Sequence, residues 1–344
     1  KSTLSIRKKI DYRDKKNIIL VIGGGGYIGS SLTKNLLKAG YQVRVLDLLL
    51  YGDGTLKDFE SFSNFQLIKG DFRNIDDICI ALKNVNVVYH LGGLVGDPAC
   101  AFDPELTIDI NVKATKIIAE LSKIYGISKF IFASSCSVYG FNDHQVDEKS
   151  IEAPLSLYAK TKLKSEKDIF QLADEKFCIS SLRLSTIYGF SNRVRFDLVV
   201  NLLSFHAQVN RKIKVINGKQ WRPFIHVNDA AGIFFEFLII ENSKINKQIF
   251  NVGFEDENYM IQDIAKLIKK NDSEVKVFYE DTGVDFRNYK VSFKKLHNLI
   301  NYKKKWTLEK GILNIIKQIK DKKITSIGPD YNNYEFIKKN RSMF

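Results

Sequence analysis

In the stretch LSLYAKTK, residues 155–162, Tyr158 and Lys162 stand four positions apart. A helix turns once in about 3.6 residues, so on a helix these two side chains share one face. An ammonium held beside a phenol favours the phenolate and lowers a tyrosine pKa from about 10 toward neutrality. Tyr158 would then act as a base for the hydroxyl of a sugar or another alcohol. Tyrosine and lysine also meet on ordinary helix surfaces, so the pair gains meaning only from what accompanies it.

A second group with chemical use is the glycine cluster of VIGGGGYIGS, residues 21–30, in which Gly23, Gly26 and Gly29 keep a G-x-x-G-x-x-G spacing. Glycines at a strand-to-helix turn allow the backbone to approach a pyrophosphate, and the helix N-terminus stabilises its charge. The flanks agree. NIILV precedes the cluster as a β-branched run, and GSSLTKNLLKAG (29–40) follows with helical spacing and a glycine stop. Asp47 ends the next strand, YQVRVLDLL (41–49), where a carboxylate would accept the ribose hydroxyls of NAD and repel the 2′-phosphate of NADP. Asp71, in GDFR after a third strand, is either near the adenine or a plain turn residue.

These residues need a scaffold, and the alternation of elements supplies one. Further strands read at 65–71, 85–93, 129–140 and 177–189, with helical segments between most of them, including DINVKATKIIAELSKIYG (109–126). Strands alternating with helices imply βαβ units and an α/β fold with a Rossmann-like, doubly wound parallel sheet.

Composition narrows the class. The chain has 344 residues, 44% hydrophobic and 27% charged, which suits a globular protein of one large or two modest domains. No apolar run approaches the ~20 residues of a membrane helix, and IFFEFLII (233–240) is short and interrupted by Glu236. The basic N-terminal stretch lacks the apolar core of a secretory signal. Four cysteines without a CxxC pair read as reduced thiols of a cytoplasmic protein, with no metal site. The net charge of +14 could serve an anionic partner. The lysines are spread out, however, and no nucleic-acid fold signature accompanies them. Neither nucleic acid nor membrane is therefore expected as a partner.

The motifs VIGGGGYIGS, GDFR, YHLGG, SSCSVYG, YAKTK, RLSTIYG, RPFIHVND, FNVG and DFRNY occur in this order over roughly residues 17–315. In that order the chain resembles the extended short-chain dehydrogenases/reductases that act on nucleotide sugars, the NAD-dependent epimerase/dehydratase family, in its 4-epimerase-like subgroup. The resemblance implies that Tyr158 is the acid/base, that Lys162 holds the nicotinamide ribose, and that Ser135 hydrogen-bonds the reacting sugar oxygen. It places Tyr27, Ile28, Phe72, Leu91, Gly92 and Gly93 on the cofactor with the glycines and acids above. It places Gly96 and Asp97, in the distinctive loop VGDPAC, near the nicotinamide and sugar. Cys136 and Ser137 occupy positions where dehydratases carry Asp-Glu and UDP-glucuronate decarboxylases carry Glu. Neither residue is a carboxylate acid or base, so redox at a carbinol carbon, most simply C4, remains.

Arg287 and Arg222 are candidate clamps for the sugar-nucleotide diphosphate, because a guanidinium pairs phosphate oxygens well. Thr186, Arg193, Arg195 and Asn201 are weaker substrate candidates. Trp221 is either a pocket wall or core, and His226 reads as structural. The expected organisation is an NAD-binding domain of residues 1–188 and 225–253, a substrate lobe of 189–224 and 254–320, and a tail of 321–344. The tail is open to three roles: a frayed end, a dimer contact or a flap on the substrate side. The expected function is NAD-dependent oxidation of a nucleotide-diphosphate sugar, as a 4-epimerase or 4-dehydrogenase, in a homodimer. A 4-keto-sugar reductase would use the same groups. A non-catalytic NAD-binding regulator of nucleic acid is the rival from another class, and it has no need of the Ser135–Tyr158–Lys162 set.

Overall fold

The computed structural model describes residues 10–283 and 287–343. The first nine residues of the basic N-terminal stretch, Phe344, and Val284, Asp285 and Phe286, which include two residues of the DFRNY motif, lie outside the described residues.

Seven strands form one parallel sheet: β1 (Ile18–Ile22), β2 (Gln42–Asp47), β3 (Phe65–Lys69), β4 (Val87–His90), β5 (Lys129–Ser135), β6 (Cys178–Leu184) and β7 (Gln248–Val252). Their spatial order is 3-2-1-4-5-6-7, and every pairing is parallel. The order reverses between β1 and β4, which opens a crevice at the carboxyl ends of those strands, the place where such sheets bind ligands. Burial on both faces explains why the central strands read as unbroken apolar runs: four of the five residues of β1 are buried, and all of β4.

Helices cover both faces. On one side α1 (Gly29–Lys38) contributes Leu32 and Leu36, and a later helix, α6 (Val227–Ile239), contributes Phe234 and Phe237. On the other side α2 (Ile75–Leu82), α3 (Thr115–Ile124) and α4 (Leu157–Phe170) contribute Ile78, Ile118 and Ile169. Among the described residues no helix is long and apolar enough to cross a membrane.

The expected strand at 177–189 is two strands. β6 ends at Leu184, and Thr186–Tyr188 then pairs with Trp221–His226 in a separate three-stranded sheet. Ser185 turns the chain between them, with both its amide and its hydroxyl bonded to the Val252 carbonyl. A second core follows, built from α5 (Val199–Asn210), α7 (Ile261–Asn271) and α8 (Leu308–Asp321), which bury Val200, Leu203, Ile264, Ile268, Ile312 and Ile315. The lobe stands over the carboxyl edge of the main sheet, and Thr186, Arg195, Arg222 and Arg287 reach from it into the crevice. Beyond α8 the chain does not fray. It returns as α9 (Asn333–Asn340), with Phe336 and Ile337 buried.

Candidate active site

The glycine turn is shaped by contacts that exclude side chains. Gly23 has a φ of +78°, and a Cβ there would sit 2.7 Å from the Gly92 amide nitrogen. A Cβ on Gly29 would sit 2.1 Å from the Gly23 carbonyl oxygen, so the first turn of α1 packs directly on the end of β1. No side chain caps the start of α1. The Ser30 amide is taken by the Gly26 carbonyl at 3.0 Å, so an anion there, which the helix dipole favours, would meet the amides beside it. Asp47 anchors the same turn: its two carboxylate oxygens accept the amides of Gly25 and Leu49, each at 2.8 Å. Burial raises the Asp47 pKa, and those two hydrogen bonds oppose the rise.

The reactive groups come from β5 and α4. Ser156 caps α4 by accepting the Ala159 amide at 3.2 Å, and the helix then presents Tyr158, Thr161, Lys162, Ser165 and Glu166 toward the protein. This face is polar, and each buried member has a partner. Lys162 Nζ donates to the Ala133 carbonyl on β5 at 2.9 Å. Ser165 donates to the Asn111 carbonyl at 2.7 Å, and Thr161 accepts from the Asn111 side chain at 3.3 Å. Asn111 lies in a π-helical turn, Asp109–Ala114, that leads into α3. Its amide also clasps both the N–H and the carbonyl of Leu94, at 2.8 and 2.9 Å. π-turns of this kind recur at functional sites because they rotate a side chain out of the helical register.

Ser135, at the end of β5, donates to Ser137 Oγ at 2.9 Å and accepts the Ser137 amide at 3.1 Å. Ser135 and Tyr158 line the same cleft. The Lys162 ammonium lies 5.9 Å from the Tyr158 ring centroid. Burial pulls the Lys162 pKa down to about 8. The expectation that Lys162 depresses the Tyr158 pKa does not hold. The phenol is surrounded by protein, and burial raises its pKa above the ordinary value, reinforced by Asp97 and opposed by Arg195 and by the Ser135 hydroxyl. Desolvation penalises the phenolate more than these neighbours favour it.

At the far end of the cleft Asp97 and Arg287 form an ion pair at 2.5 Å, and Arg195 pairs with Asp197 at 2.7 Å. Arg222 donates to the backbone carbonyls of Trp221 and Arg287. Gly96, Asp97, Thr186, Arg195, Leu198, Arg222 and Arg287 line both this cleft and a second cavity bounded by Ile216, Asn217 and Gln220. The three guanidinium groups thus stand at the junction of the two spaces.

A model of the NAD dependent epimerase/dehydratase family matches residues 19–253. The chain belongs to that family. Among curated relatives, the dTDP-D-glucose 4,6-dehydratase of Mus musculus is 27% identical over 318 residues, covering 87% of this chain and 87% of its own. The UDP-glucuronate 4-epimerase of Thermodesulfobacterium geofontis is 26% identical, covering 88% of this chain and 96% of its own. Among solved structures, UDP-glucuronic acid 4-epimerase from Bacillus cereus, in complex with UDP-glucuronic acid and NAD, superposes with a TM-score of 0.80 at 27% identity, covering 88% of this chain and 99% of that one.

The cofactor of this family is NAD, and the residues present fit it. The uncapped start of α1 suits a diphosphate, and Asp47 stands at the end of β2 with acceptor capacity left beyond its two amide bonds. We predict that Asp47→Ser lowers NAD affinity by about 10-fold to 100-fold, the worth of hydrogen bonds to a charged group at about 1.5–3 kcal/mol, and narrows the gap to NADP. Fluorescence titration with NADH and NADPH checks this; an unchanged NADH affinity would remove Asp47 from the ribose site.

Of the residues singled out in the sequence for this family's site, all but two line the cleft, Tyr27, Ile28, Phe72, Leu91 and Gly93 included. The first exception is Cys136. It points into the core, its thiol donating to the Arg183 carbonyl at 3.2 Å, because in the turn Cys136–Tyr139 it is Ser137 that faces the cleft. The second is Asn201. It is fully buried on α5, where its amide binds the Gly189 amide, the Tyr27 hydroxyl and the Arg195 carbonyl. Asn201 fixes the loop that carries Arg195 and does not meet a ligand itself. Asp71 lines the cleft while held in an ion pair with Arg73 at 2.5 Å. His226 caps α6 and stacks on Trp306 at 4.1 Å, and burial pulls its pKa down to about 3. Among residues that the sequence did not single out, Tyr51 and Asn333 line the cleft, and Asn111 stands behind its wall, holding Leu94. Asn111 left one signal, a polar residue inside an apolar helical stripe; the other two left none.

Proposed function

We propose that the protein oxidises a hydroxyl of a nucleotide-diphosphate sugar, most simply at C4, as an NAD-dependent 4-epimerase or 4-dehydrogenase. The observation that carries this reading is the convergence of Ser135, Tyr158 and Lys162 on one cleft with the glycine turn and Asp47. Bound NAD supplies the hydride acceptor. Tyr158 takes the hydroxyl proton at its phenolic oxygen, Ser135 holds the same sugar oxygen, and Lys162 would hold the nicotinamide ribose. The guanidinium groups of Arg195, Arg222 and Arg287 would orient the substrate diphosphate at the junction of the two cavities, with the nucleoside in the second.

Dehydration is disfavoured by the same geometry. Among the described residues, the carboxylate at that end of the cleft is Asp97; one of its oxygens pairs with Arg287 and the other has no hydrogen-bond partner, so at most one of the two groups that dehydration needs stands there. Removal of a C5 proton and protonation of a leaving hydroxyl would need a free acid and base there. A second reading, reduction of a 4-keto sugar, uses Tyr158 as the acid instead of the base. We also propose that the chain works as a homodimer.

The test is to denature freshly purified protein and identify the nicotinamide released, then to follow UDP-glucose and UDP-glucuronic acid by NMR. Released NAD⁺ with formation of the C4 epimer supports the epimerase. Retained NADH with a 4-keto product supports the dehydrogenase. A protein that holds no dinucleotide and turns over neither these sugars nor their 4-keto forms would sink the proposal.

A further inference from the structure

The segment after α8 runs through residues 322–328 without regular structure and returns as α9 across the cleft. Its docking combines apolar and polar contacts. Phe336 packs on Tyr51 with ring centroids 4.6 Å apart, and Tyr334 meets Phe102 edge-on at 5.8 Å. The Tyr331 carbonyl accepts the Phe196 amide at 2.8 Å. Asn333 is 2% exposed, and its one amide ties three separate loops. Its oxygen accepts from Arg193 at 2.7 Å and from the Tyr51 hydroxyl at 3.2 Å, while its nitrogen donates to the Val95 carbonyl at 3.0 Å.

Arg193 is the unusual member of this cluster. Its guanidinium lies over the Tyr51 ring at 3.7 Å from the centroid and is 5% exposed, and its Nε has no hydrogen-bond partner. Among the described residues no carboxylate stands within ion-pair distance of it. Burial pulls its pKa down to about 10. Asp197 acts on it at a distance but is paired with Arg195, and a buried cation without a counter-ion of its own is costly, so the partner that suits it is an anion. Arg193 lines the same cleft as the start of α1, where no side chain caps the helix and its dipole favours an anion. A diphosphate satisfies both. Two diphosphates are available to this site, and the lining separates them. Arg195, Arg222 and Arg287 border both cavities, whereas Arg193, Tyr51 and Asn333 border the cofactor cleft and not the second cavity.

We propose that residues 328–343 form a clasp that holds the dinucleotide's diphosphate against Arg193, with Asn333 as the latch, so that the cofactor exchanges only when this segment lifts. The inference rests on NAD being the resident dinucleotide. It goes further in giving the C-terminal segment the task of holding it.

The test times cofactor release. Protein loaded with NADH is chased with excess NAD⁺, and the fall in bound-nicotinamide fluorescence gives the dissociation rate. Three variants are compared with the full chain: Asn333→Ala; Asn333→Asp, which keeps the shape and gives Arg193 a competing carboxylate; and a chain ending at Ile327. Release should accelerate at least about 10-fold in Asn333→Ala, as for loss of a hydrogen bond to a charged group, by as much in Asn333→Asp, whose carboxylate takes Arg193 from the diphosphate, and more in the shortened chain. UDP affinity of the loaded Asn333 variants, by calorimetry, should stay within about threefold, the spread of a change that touches no UDP contact; the shortened chain also loses Asn332 and Tyr334 from the second cavity and is compared on release alone. Unchanged release in the Asn333 variants overturns the clasp even if the shortened chain fails to fold. A loss of UDP affinity with unchanged release also overturns it and assigns the segment to the substrate cavity. Intact protein that takes up no NADH fails at the earlier step, the NAD reading itself.

Discussion

Tyr158→Phe should lower turnover of a nucleotide sugar by about 10²–10⁴-fold, the usual worth of a positioned acid or base, and leave NADH affinity unchanged. The ring stays, so the packing of α4 and the Lys162 contact to Ala133 stay with it. What goes is the phenolic oxygen alone. The pH profile adds a second readout. Because burial raises the Tyr158 pKa, the phenolate is the minor form at neutral pH. The oxidation half-reaction needs that form, so its single-turnover rate should climb by up to about tenfold per pH unit through neutrality. The climb should bend near pH 8, where Lys162, with its pKa pulled down to about 8, gives up its charge. Reduction of a 4-keto sugar needs the protonated phenol and should show no such rise. Full turnover by Tyr158→Phe would place the base elsewhere. A rate flat between neutrality and pH 8 would contradict the raised pKa.

What the sequence made legible is what local chemistry decides. The run IILVI, the glycines, the period of α1 and the acid ending β2 are neighbours along the chain, and their geometry follows from short-range sterics and from the burial of parallel strands. The Tyr158–Lys162 pair was legible because four residues span one turn. What escaped depends on distant partners. Asn111 comes to stand behind the cleft wall through a π-turn, and an irregular turn breaks the periodicity on which sequence reading relies. Cys136 and Ser137 differ in which way one tight turn points them. The direction of the Tyr158 shift is not legible from Lys162 alone, because desolvation depends on the whole surround of the phenol. The last segment reads as polar with scattered aromatics, and its docking depends on Tyr51 and Phe102, hundreds of residues earlier.

Glu166→Ala should destabilise the protein by about 3–5 kcal/mol, the cost of stranding a buried partner charge. Arg183, on β6, is fully buried beneath α4. Its Nε and Nη2 donate to Glu166 at 3.1 and 2.8 Å, and Ser181 donates to the same carboxylate at 2.9 Å. Glu152 gives Arg183 a second, more exposed partner at 2.8 Å. Without Glu166 the guanidinium keeps Glu152 alone, and its Nη1 already lacks a hydrogen bond. Replacing both charges, as Arg183→Met with Glu166→Leu, should recover most of the loss, since apolar side chains of similar volume need no counter-charge. The comparison tests more than stability. Glu166 lies one turn beyond Lys162 on the same face of α4, so the ion pair pins the helix that carries both reactive groups to the sheet that carries Ser135. If the pair sets register, the double variant should unfold at nearly the wild-type urea concentration yet turn over more slowly, with NADH affinity little changed. Loss of less than about 1 kcal/mol on Glu166→Ala would mean that Glu152 alone suffices for Arg183, as an exposed surface pair would imply. Wild-type turnover in the double variant would show that apolar packing alone can position α4 on the sheet.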